Sequence, residues 1–295
     1  MILNISGRTD IVAFYTPWLR KRYQEGFVDV RNPFYPNLVS RILFEDVDLI
    51  LFCTKNPHPI IPYLKEFQKP IIFQVTLTPY KKDIEPNVPP KGTIIEDIKK
   101  LSKILGKENL YIRYDPVFLN DRYTIDYHKK AFENLCGKLE GYVEKIIISF
   151  IEMKKNVEKN AHFLKLKPFT EEDYKEIGIS FSKSVEKHGM TVQTCFTEHN
   201  LVEYGFIKDD CLSHSLAFKL TGKTYPSWNA RKGNLCKCVR MVDIGDYNSC
   251  SHFCKYCYAN YDEKKVLQNK QNHDPNSSLL IGHLKETDII KIRKK

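Results

Sequence analysis

Three cysteines near the end of the 295-residue chain are spaced closely enough to share one metal centre. Cys250, Cys254 and Cys257 form a C-x-x-x-C-x-x-C pattern within the segment CSHFCKYCYAN. A loop with this spacing can bring three thiolates to one point, and thiolates are the usual ligands of iron–sulfur clusters. Three cysteines leave the fourth iron of a [4Fe–4S] cluster open to a ligand from outside the protein. The spacing therefore favours an open-sited [4Fe–4S] cluster.

Zinc is the alternative for the same cysteines. Closely spaced cysteines also form closed tetrahedral zinc sites, which take four ligands from the protein. Cys236, Cys238 or His252 offers the fourth ligand.

A second candidate metal site comes from four further cysteines: Cys195, Cys211, Cys236 and Cys238. Four thiolates suit an auxiliary [4Fe–4S] cluster or a closed zinc site. The alternative is that some of the four are buried thiols and one assists the first cluster. The two remaining cysteines, Cys53 and Cys136, lie in apolar segments, and we predict that they are small core residues.

The three-cysteine segment resembles the signature of radical S-adenosylmethionine enzymes, in which an aromatic residue, here Tyr256, precedes the last cysteine. The resemblance implies that S-adenosylmethionine chelates the open iron of the cluster and that Tyr256 packs near its adenine. It also implies a 5′-deoxyadenosyl radical, formed with an electron from a reductase or from a flavodoxin- or ferredoxin-type donor.

The whole chain is similar to the bacterial family called domain of unknown function 1848. The stretches that carry the similarity are SGRTDIVAFY (6–15), GFVDVRNPFYPNLVSRI (26–42), LFCTKNP (51–57), YIRYDPV (111–117) and CKCVRMVDIGDYNSCSHFCKYCYANY (236–261). Two features depart from radical S-adenosylmethionine enzymes: the cysteine loop comes late in the chain, and no Gly-Gly pair is present for the usual cofactor-binding motif of the second strand.

Short apolar runs alternate with amphipathic segments along the chain. The runs are residues 2–6, 48–54, 71–78, 110–115, 145–152, 191–197 and 238–245. Continuous apolar runs are typical of strands buried on both faces of a parallel sheet. The alternation predicts an α/β fold, a TIM-like (β/α) barrel that is complete or partial. The late cysteine loop indicates that the barrel is circularly permuted relative to radical S-adenosylmethionine enzymes.

The predicted organisation is one structural domain. Residues 1–235 form the barrel body with a β-hairpin inserted at 26–44, and the cysteine-rich residues 236–295 complete the barrel. The helices are predicted to begin at N-cap residues Thr93, Thr124 and Thr170, with Glu96 completing a capping box for the first of them.

Chemistry in such folds gathers where strands end. Residues at the predicted strand ends give five candidate catalytic groups: Arg8, Asp10, Lys55, Arg113 and Asp115. The cations suit a carboxylate or phosphate, and the acids suit ribose hydroxyls or substrate positioning. Candidate cofactor-binding residues at the same ends are Asn56, Gln74 and Glu152, beside Tyr256. The alternative for each charged residue is a helix cap or an ion pair at the rim.

The formal net charge is +10, from 46 Lys and Arg against 36 Asp and Glu. A basic surface attracts polyanions, so a nucleic-acid base or nucleotide is a candidate substrate, although a solvated lysine-rich surface explains the charge equally. A second class of function is a non-catalytic nucleic-acid-binding protein stabilised by zinc or an iron–sulfur cluster.

The chain shows no secretory signal and no apolar run long enough to cross a membrane. We expect a cytoplasmic protein without a membrane partner.

Overall fold

A computed structural model describes residues 1–195, 197, 199–228 and 237–294. Its strands are β1 (Ile2–Asn4), β2 (Phe27–Arg31), β3 (Leu38–Leu43), β4 (Leu49–Thr54), β5 (Ile71–Thr76), β6 (Leu110–Val117), β7 (Lys145–Phe150), β8 (Thr191–Thr194), β9 (Met241–Asp243) and β10 (Ile289–Ile292). Its helices are α1 (Ile11–Phe14), α2 (Thr16–Glu25), α3 (Lys91–Leu105), α4 (Ile125–Leu139), α5 (Lys155–Lys159), α6 (Ala161–Leu164), α7 (Glu171–Lys187), α8 (His214–Thr221) and α9 (Glu263–Gln271).

Seven strands form one sheet in the order β8-β7-β6-β5-β4-β1-β9, and every neighbouring pair is parallel. Each of the seven predicted runs overlaps one strand of this sheet. Strand order follows chain order except that the last strand, β9, lies beyond β1. The chain is therefore an α/β protein with a parallel sheet, as in TIM-like and doubly wound folds. Strands β8 and β9 lie at the two edges, and no hydrogen-bonded pair joins them within the described residues.

Both faces of the sheet are buried, which explains why its strands are nearly continuous apolar runs. Side chains such as Ile50 and Phe73 point into the main core, which α1–α4 and α7 cover. Their neighbours in sequence, such as Leu51 and Ile72, point to the opposite face. There they pack against the segment that contains α8 and the cysteines Cys211 and Cys238. We call this second side of the sheet the inner face.

The predicted insertion at 26–44 is a β-hairpin, as expected. Strands β2 and β3 pair antiparallel, and β10 joins the outer side of β3 in parallel to make a separate three-stranded sheet. The Arg31 guanidinium donates two hydrogen bonds to Asp288, at 2.6 and 2.7 Å, and so ties the hairpin to the C-terminal segment. The end of the chain is thus anchored on the hairpin.

The predicted helix starts are correct for α4 and α7 and wrong for α3. Thr124 and Thr170 cap their helices through their hydroxyls, and Thr170 forms a capping box with Asp173. Helix α3 begins at Lys91, two residues before Thr93, and its N-cap is Pro90. The Lys91 side chain contacts the buried Glu85, a tertiary interaction that the local pattern could not reveal.

A buried histidine links α4 to β6. The Phe118 carbonyl can only accept a hydrogen bond, so His128 Nε2 carries the proton and donates to it at 2.9 Å. The Tyr114 hydroxyl then donates to Nδ1 at 2.9 Å. His128 has no exposed surface, and burial lowers its pKa from 6.5 to about 4, although the bond to Phe118 acts in the opposite direction.

Acid is therefore expected to destabilise the fold through His128. The folded state keeps His128 neutral while the unfolded state binds a proton below pH 6.5, so this stabilisation is present above pH 6.5 and is lost as the pH falls towards 4. A depression of this size corresponds to about 3 kcal/mol of unfolding free energy. Urea unfolding of the wild type and a His128→Asn variant at pH 7.5 and 4.5 measures the difference. The stability gap between the two proteins should shrink in acid, and a gap independent of pH would contradict this role.

Candidate functional site

The three-cysteine loop lies at the carboxyl edge of the parallel sheet. It follows β9, which pairs with β1 from Ile2↔Met241 to Asn4↔Asp243. Because the strands are parallel, the residues after β1, β4 and β5 meet at the same edge. The Tyr15 hydroxyl donates to the Ser249 carbonyl at 2.6 Å, and the Asn160 side chain donates to the Lys255 carbonyl at 2.7 Å. The loop is thus held from both sides of the rim.

Two non-glycine residues let the loop curl back on itself. Asn248 and Phe253 have φ angles of 52° and 55°, in the left-handed region. Asn248 tolerates this conformation because its side chain satisfies nearby backbone groups: its Oδ1 accepts hydrogen bonds from the amides of Tyr261 (2.8 Å) and Asp262 (3.2 Å). The resulting turns close the loop around its cysteines.

The donor set of the loop fits a thiolate-ligated cluster. Cys254 is buried, and Cys250 and Cys257 are partly buried. Cys250 and Cys254 both lie close enough to Cys257 for a charge on Cys257 to raise the pKa of their thiols. Burial raises the pKa of all three thiols, and the Lys55 ammonium opposes this at Cys254 and Cys257. Within the described residues, no three His, Cys, Asp or Glu side chains adopt a ready metal-binding arrangement.

Asp10 connects helix α1 and the end of β4 to the cysteine loop. Its carboxylate caps α1 by accepting from the Ala13 amide at 3.0 Å and also accepts from the Thr54 hydroxyl at 2.7 Å and the Lys55 amide at 2.8 Å. His252, which lies between the first two loop cysteines, donates to it through Nε2 at 3.0 Å. Asp10 is therefore a helix cap and an anchor of the cysteine loop at once, and His252 faces this carboxylate.

A buried charge network lies beside Cys254. Glu85, only 1% exposed, accepts hydrogen bonds from Lys55 (2.8 Å), Thr78 (2.7 Å), Lys91 and the Tyr256 hydroxyl. Burial acts to raise the pKa of Glu85, but the two lysines outweigh it and lower this pKa to about 2. Two ammonium groups share one carboxylate, so the network contributes positive charge to the surroundings of the loop thiols.

Three cysteines of the second set, Cys195, Cys211 and Cys238, meet on the inner face. Cys195 directly follows β8, and its Sγ lies 2.8 Å from Cys211 Sγ. Cys238 is within hydrogen-bonding reach of Cys211. The bond with Cys195 acts to lower the pKa of Cys211, whereas the contact with Cys238 and burial raise it, and the result is about 11. Cys236 lies outside the described residues.

The model of one protein family matches residues 2–259, a range that includes both cysteine sets. This family is described as Domain of unknown function (DUF1848). The chain belongs to the DUF1848 family. No curated protein is significantly similar to it. None of the described helices combines the length and apolar character needed to cross a membrane.

In this DUF1848 protein, Arg8 is part of a tight rim contact. Its Nε lies 2.5 Å from Asp243 at the end of β9, and the Gly7 amide donates to the same carboxylate at 2.8 Å. A Cβ on Gly7 would come within 2.8 Å of the Asp243 side chain, so this close approach requires glycine. Arg8 is thus an ion-pair partner that joins the β1 loop to the strand preceding the cysteine loop.

Arg113 and Asp115 lie on the inner face and contact each other. Arg113 Nε donates to Asp115 at 3.0 Å, its Nη1 donates to Gln74 at 3.3 Å, and the Ser149 hydroxyl donates to Asp115. Arg113 lowers the pKa of Asp115 against the effect of burial. Among the predicted residues, Gln74 joins this group, because its side chain also donates to the Cys211 carbonyl at 3.2 Å.

The remaining predicted cofactor residues are placed differently. Tyr256 packs beside the stacked rings of Tyr80 and Phe118, with ring centroids 5.8 Å and 6.4 Å away. Asn56 caps a short turn by accepting from the His58 amide at 3.4 Å. Glu152 forms an ion pair with Lys154, with Nζ and Oε2 3.1 Å apart.

Sequence reasoning missed Glu85 and Cys53 as members of the site. Glu85 lies nine residues after β5, in a segment without a recognisable motif. Cys53 was predicted to be a plain core residue, but it is partly exposed and its Sγ lies 3.7 Å from Gln74 Oε1. Its odd-numbered position in β4, on the same side as Leu51, is the one signal that places it on the inner face. Cys136 is fully buried in the main core, as predicted.

Proposed function

We propose that this protein is a radical S-adenosylmethionine-type enzyme with a [4Fe–4S] cluster on Cys250, Cys254 and Cys257. The observation that carries the proposal is the position of this loop. Three thiols on one curled loop lie at the carboxyl edge of a parallel sheet, where the ends of neighbouring strands supply Asp10 and Lys55. Ligands bind at this edge in parallel α/β folds.

The strand order supports a permuted barrel. Counted across the sheet from one edge, the strands are β9, β1, β4, β5, β6, β7 and β8. The cysteine loop thus follows the first strand in space, although β9 comes late in the chain. Radical S-adenosylmethionine enzymes carry their loop after the first strand of the barrel. Circular permutation relative to those enzymes therefore accounts for the late position of the loop in the sequence.

The cluster, when bound together with S-adenosylmethionine, supplies one-electron cleavage of the sulfonium to give a 5′-deoxyadenosyl radical. The protein's own groups hold and shield the site. Asp10 fixes the loop through His252, and Lys55 and Lys91 place positive charge near the thiolates. Tyr256 and its aromatic neighbours exclude water from one side. The electron comes from a reductase or a flavodoxin- or ferredoxin-type donor.

The polar inner face supports a role in substrate binding. Arg113, Asp115 and Ser149 lie on consecutive strands β6 and β7 and form one hydrogen-bonded group at the rim. Such a group suits a polar or anionic substrate, and a nucleotide or nucleic-acid base is the class that agrees with the net charge of +10.

Metal analysis and electron paramagnetic resonance of anaerobically purified protein test this proposal. We expect a brown protein with about four irons on the loop, whose reduced spectrum changes when S-adenosylmethionine is added. A colourless protein that contains only zinc would overturn the proposal in favour of a structural, nucleic-acid-binding role. A reduced cluster whose spectrum is unaffected by S-adenosylmethionine would overturn the cofactor assignment.

A further inference from the structure

Cys195 and Cys211 are aligned by backbone pairing at the edge of the sheet. Ile207 forms a parallel bridge with Gln193 of β8, and the Gln193 side chain donates to the Asp209 carbonyl at 3.0 Å. The segment after Ile207 therefore runs beside β8 and brings Cys211 opposite Cys195. Their sulfurs lie 2.8 Å apart as a result.

Cys238 reaches the same place from a third segment. The Val239 amide donates to the Leu212 carbonyl at 3.1 Å, and the Lys237 amide donates to Asp210 Oδ1 at 3.1 Å. These bonds flank Cys238 and hold it against Cys211. Three separate segments thus bring one thiol each to the inner face, where Cys211 and Cys238 are buried and Cys195 is partly buried.

The surroundings of these thiols differ from those of an ordinary core cysteine. Arg113 Nη1 donates to Cys211 Sγ at 3.4 Å, so a guanidinium lies directly against this group of thiols. Cys136, by contrast, lies in the main core among apolar side chains. A guanidinium placed against buried sulfur suits thiolates, which would otherwise be costly to bury.

We propose that Cys195, Cys211 and Cys238 are ligands of a second metal centre, distinct from the cysteine loop. This centre is either a zinc ion or a [4Fe–4S] cluster, both of which bind thiolates. Each thiol loses its proton as it bonds to the metal. Two thiolates on one zinc are about 3.8 Å apart, given Zn–S bonds of about 2.3 Å in a tetrahedron. Binding therefore requires the Cys195–Cys211 pair to separate by about 1 Å, a change that side-chain rotation can supply.

A variant that lacks the loop cysteines isolates the second centre. Protein with Cys250, Cys254 and Cys257 all replaced by Ala should still contain about one zinc or about four irons per chain, measured by elemental analysis. Mössbauer spectroscopy then identifies iron as a cluster, and X-ray absorption identifies zinc by its sulfur ligands. A further Cys211→Ser or Cys195→Ser change should remove this metal, whereas Cys136→Ala, the matched control, should leave it. Circular dichroism confirms that each variant is folded.

Three results would overturn the inference. The first is a folded loop variant without metal, and the second is unchanged metal after Cys211→Ser or Cys195→Ser. The third is a Cys195–Cys211 disulfide found by mass spectrometry in the anaerobic wild-type protein. None of these results depends on the loop cluster, so the second centre can fail while the proposed function stands.

Discussion

Replacement of Cys254 by Ala is expected to remove the iron of the loop and to abolish cleavage of S-adenosylmethionine. Cys254 is the buried member of the three loop thiols, and it lies within reach of the Lys55 charge. A cluster with one open iron has no spare ligand, so the loss of one cysteine removes a required bond. The iron content should fall by about four atoms per chain.

Cys136→Ala is the matched control, because it removes a buried thiol from the main core without touching the loop. It should keep the iron content of the wild type. Equal iron in the Cys254→Ala and wild-type proteins would exclude Cys254 as a ligand. Circular dichroism distinguishes ligand loss from unfolding.

Replacement of Glu85 by Ala is expected to destabilise the fold strongly. Glu85 is the shared acceptor of Lys55, Lys91, Thr78 and Tyr256, and its removal leaves two ammonium groups close together in a buried site. Removing one partner of a buried ion pair typically costs about 3–5 kcal/mol. Urea unfolding at neutral pH measures the free-energy change.

Two comparison variants sharpen this test. Glu85→Gln keeps the shape and the acceptor oxygen but removes the charge, and we expect a smaller loss than for Ala. Glu66→Ala breaks an ion pair with Arg20 at the surface, where both side chains are about one-third exposed, and should change stability far less. If Glu85→Ala and Glu66→Ala have equal effects, the buried network does not stabilise the rim.

The elements of the sheet were predictable because their signals are local. In the run 48–54, residues 49–53 are all apolar, and the strand is buried on both faces. Thr170 and Asp173 lie three residues apart, so their capping box is also visible in sequence. Thr93 carries a similar local pattern, yet Pro90 and the contact between Lys91 and Glu85 start the helix earlier.

The connections within the site were not predictable, because they join residues far apart in sequence. Asp10 and His252 are separated by 242 positions, and Cys195 and Cys211 meet only because Ile207 pairs beside β8. Strand-end reasoning selected Asp10, Lys55 and Arg113 because parallel strands end at the same edge of a sheet, although Arg113 lies within β6 and not at its end. It could not show which of them contact one another.

Formation of 5′-deoxyadenosine tests the central claim most directly. Anaerobic wild-type protein is incubated with dithionite and S-adenosylmethionine, and the products are separated by liquid chromatography and mass spectrometry. The proposed function predicts 5′-deoxyadenosine and methionine from the wild type, and none above background from the variant that lacks Cys250, Cys254 and Cys257. Absence of 5′-deoxyadenosine from wild-type protein with a full, reducible loop cluster would contradict the claim.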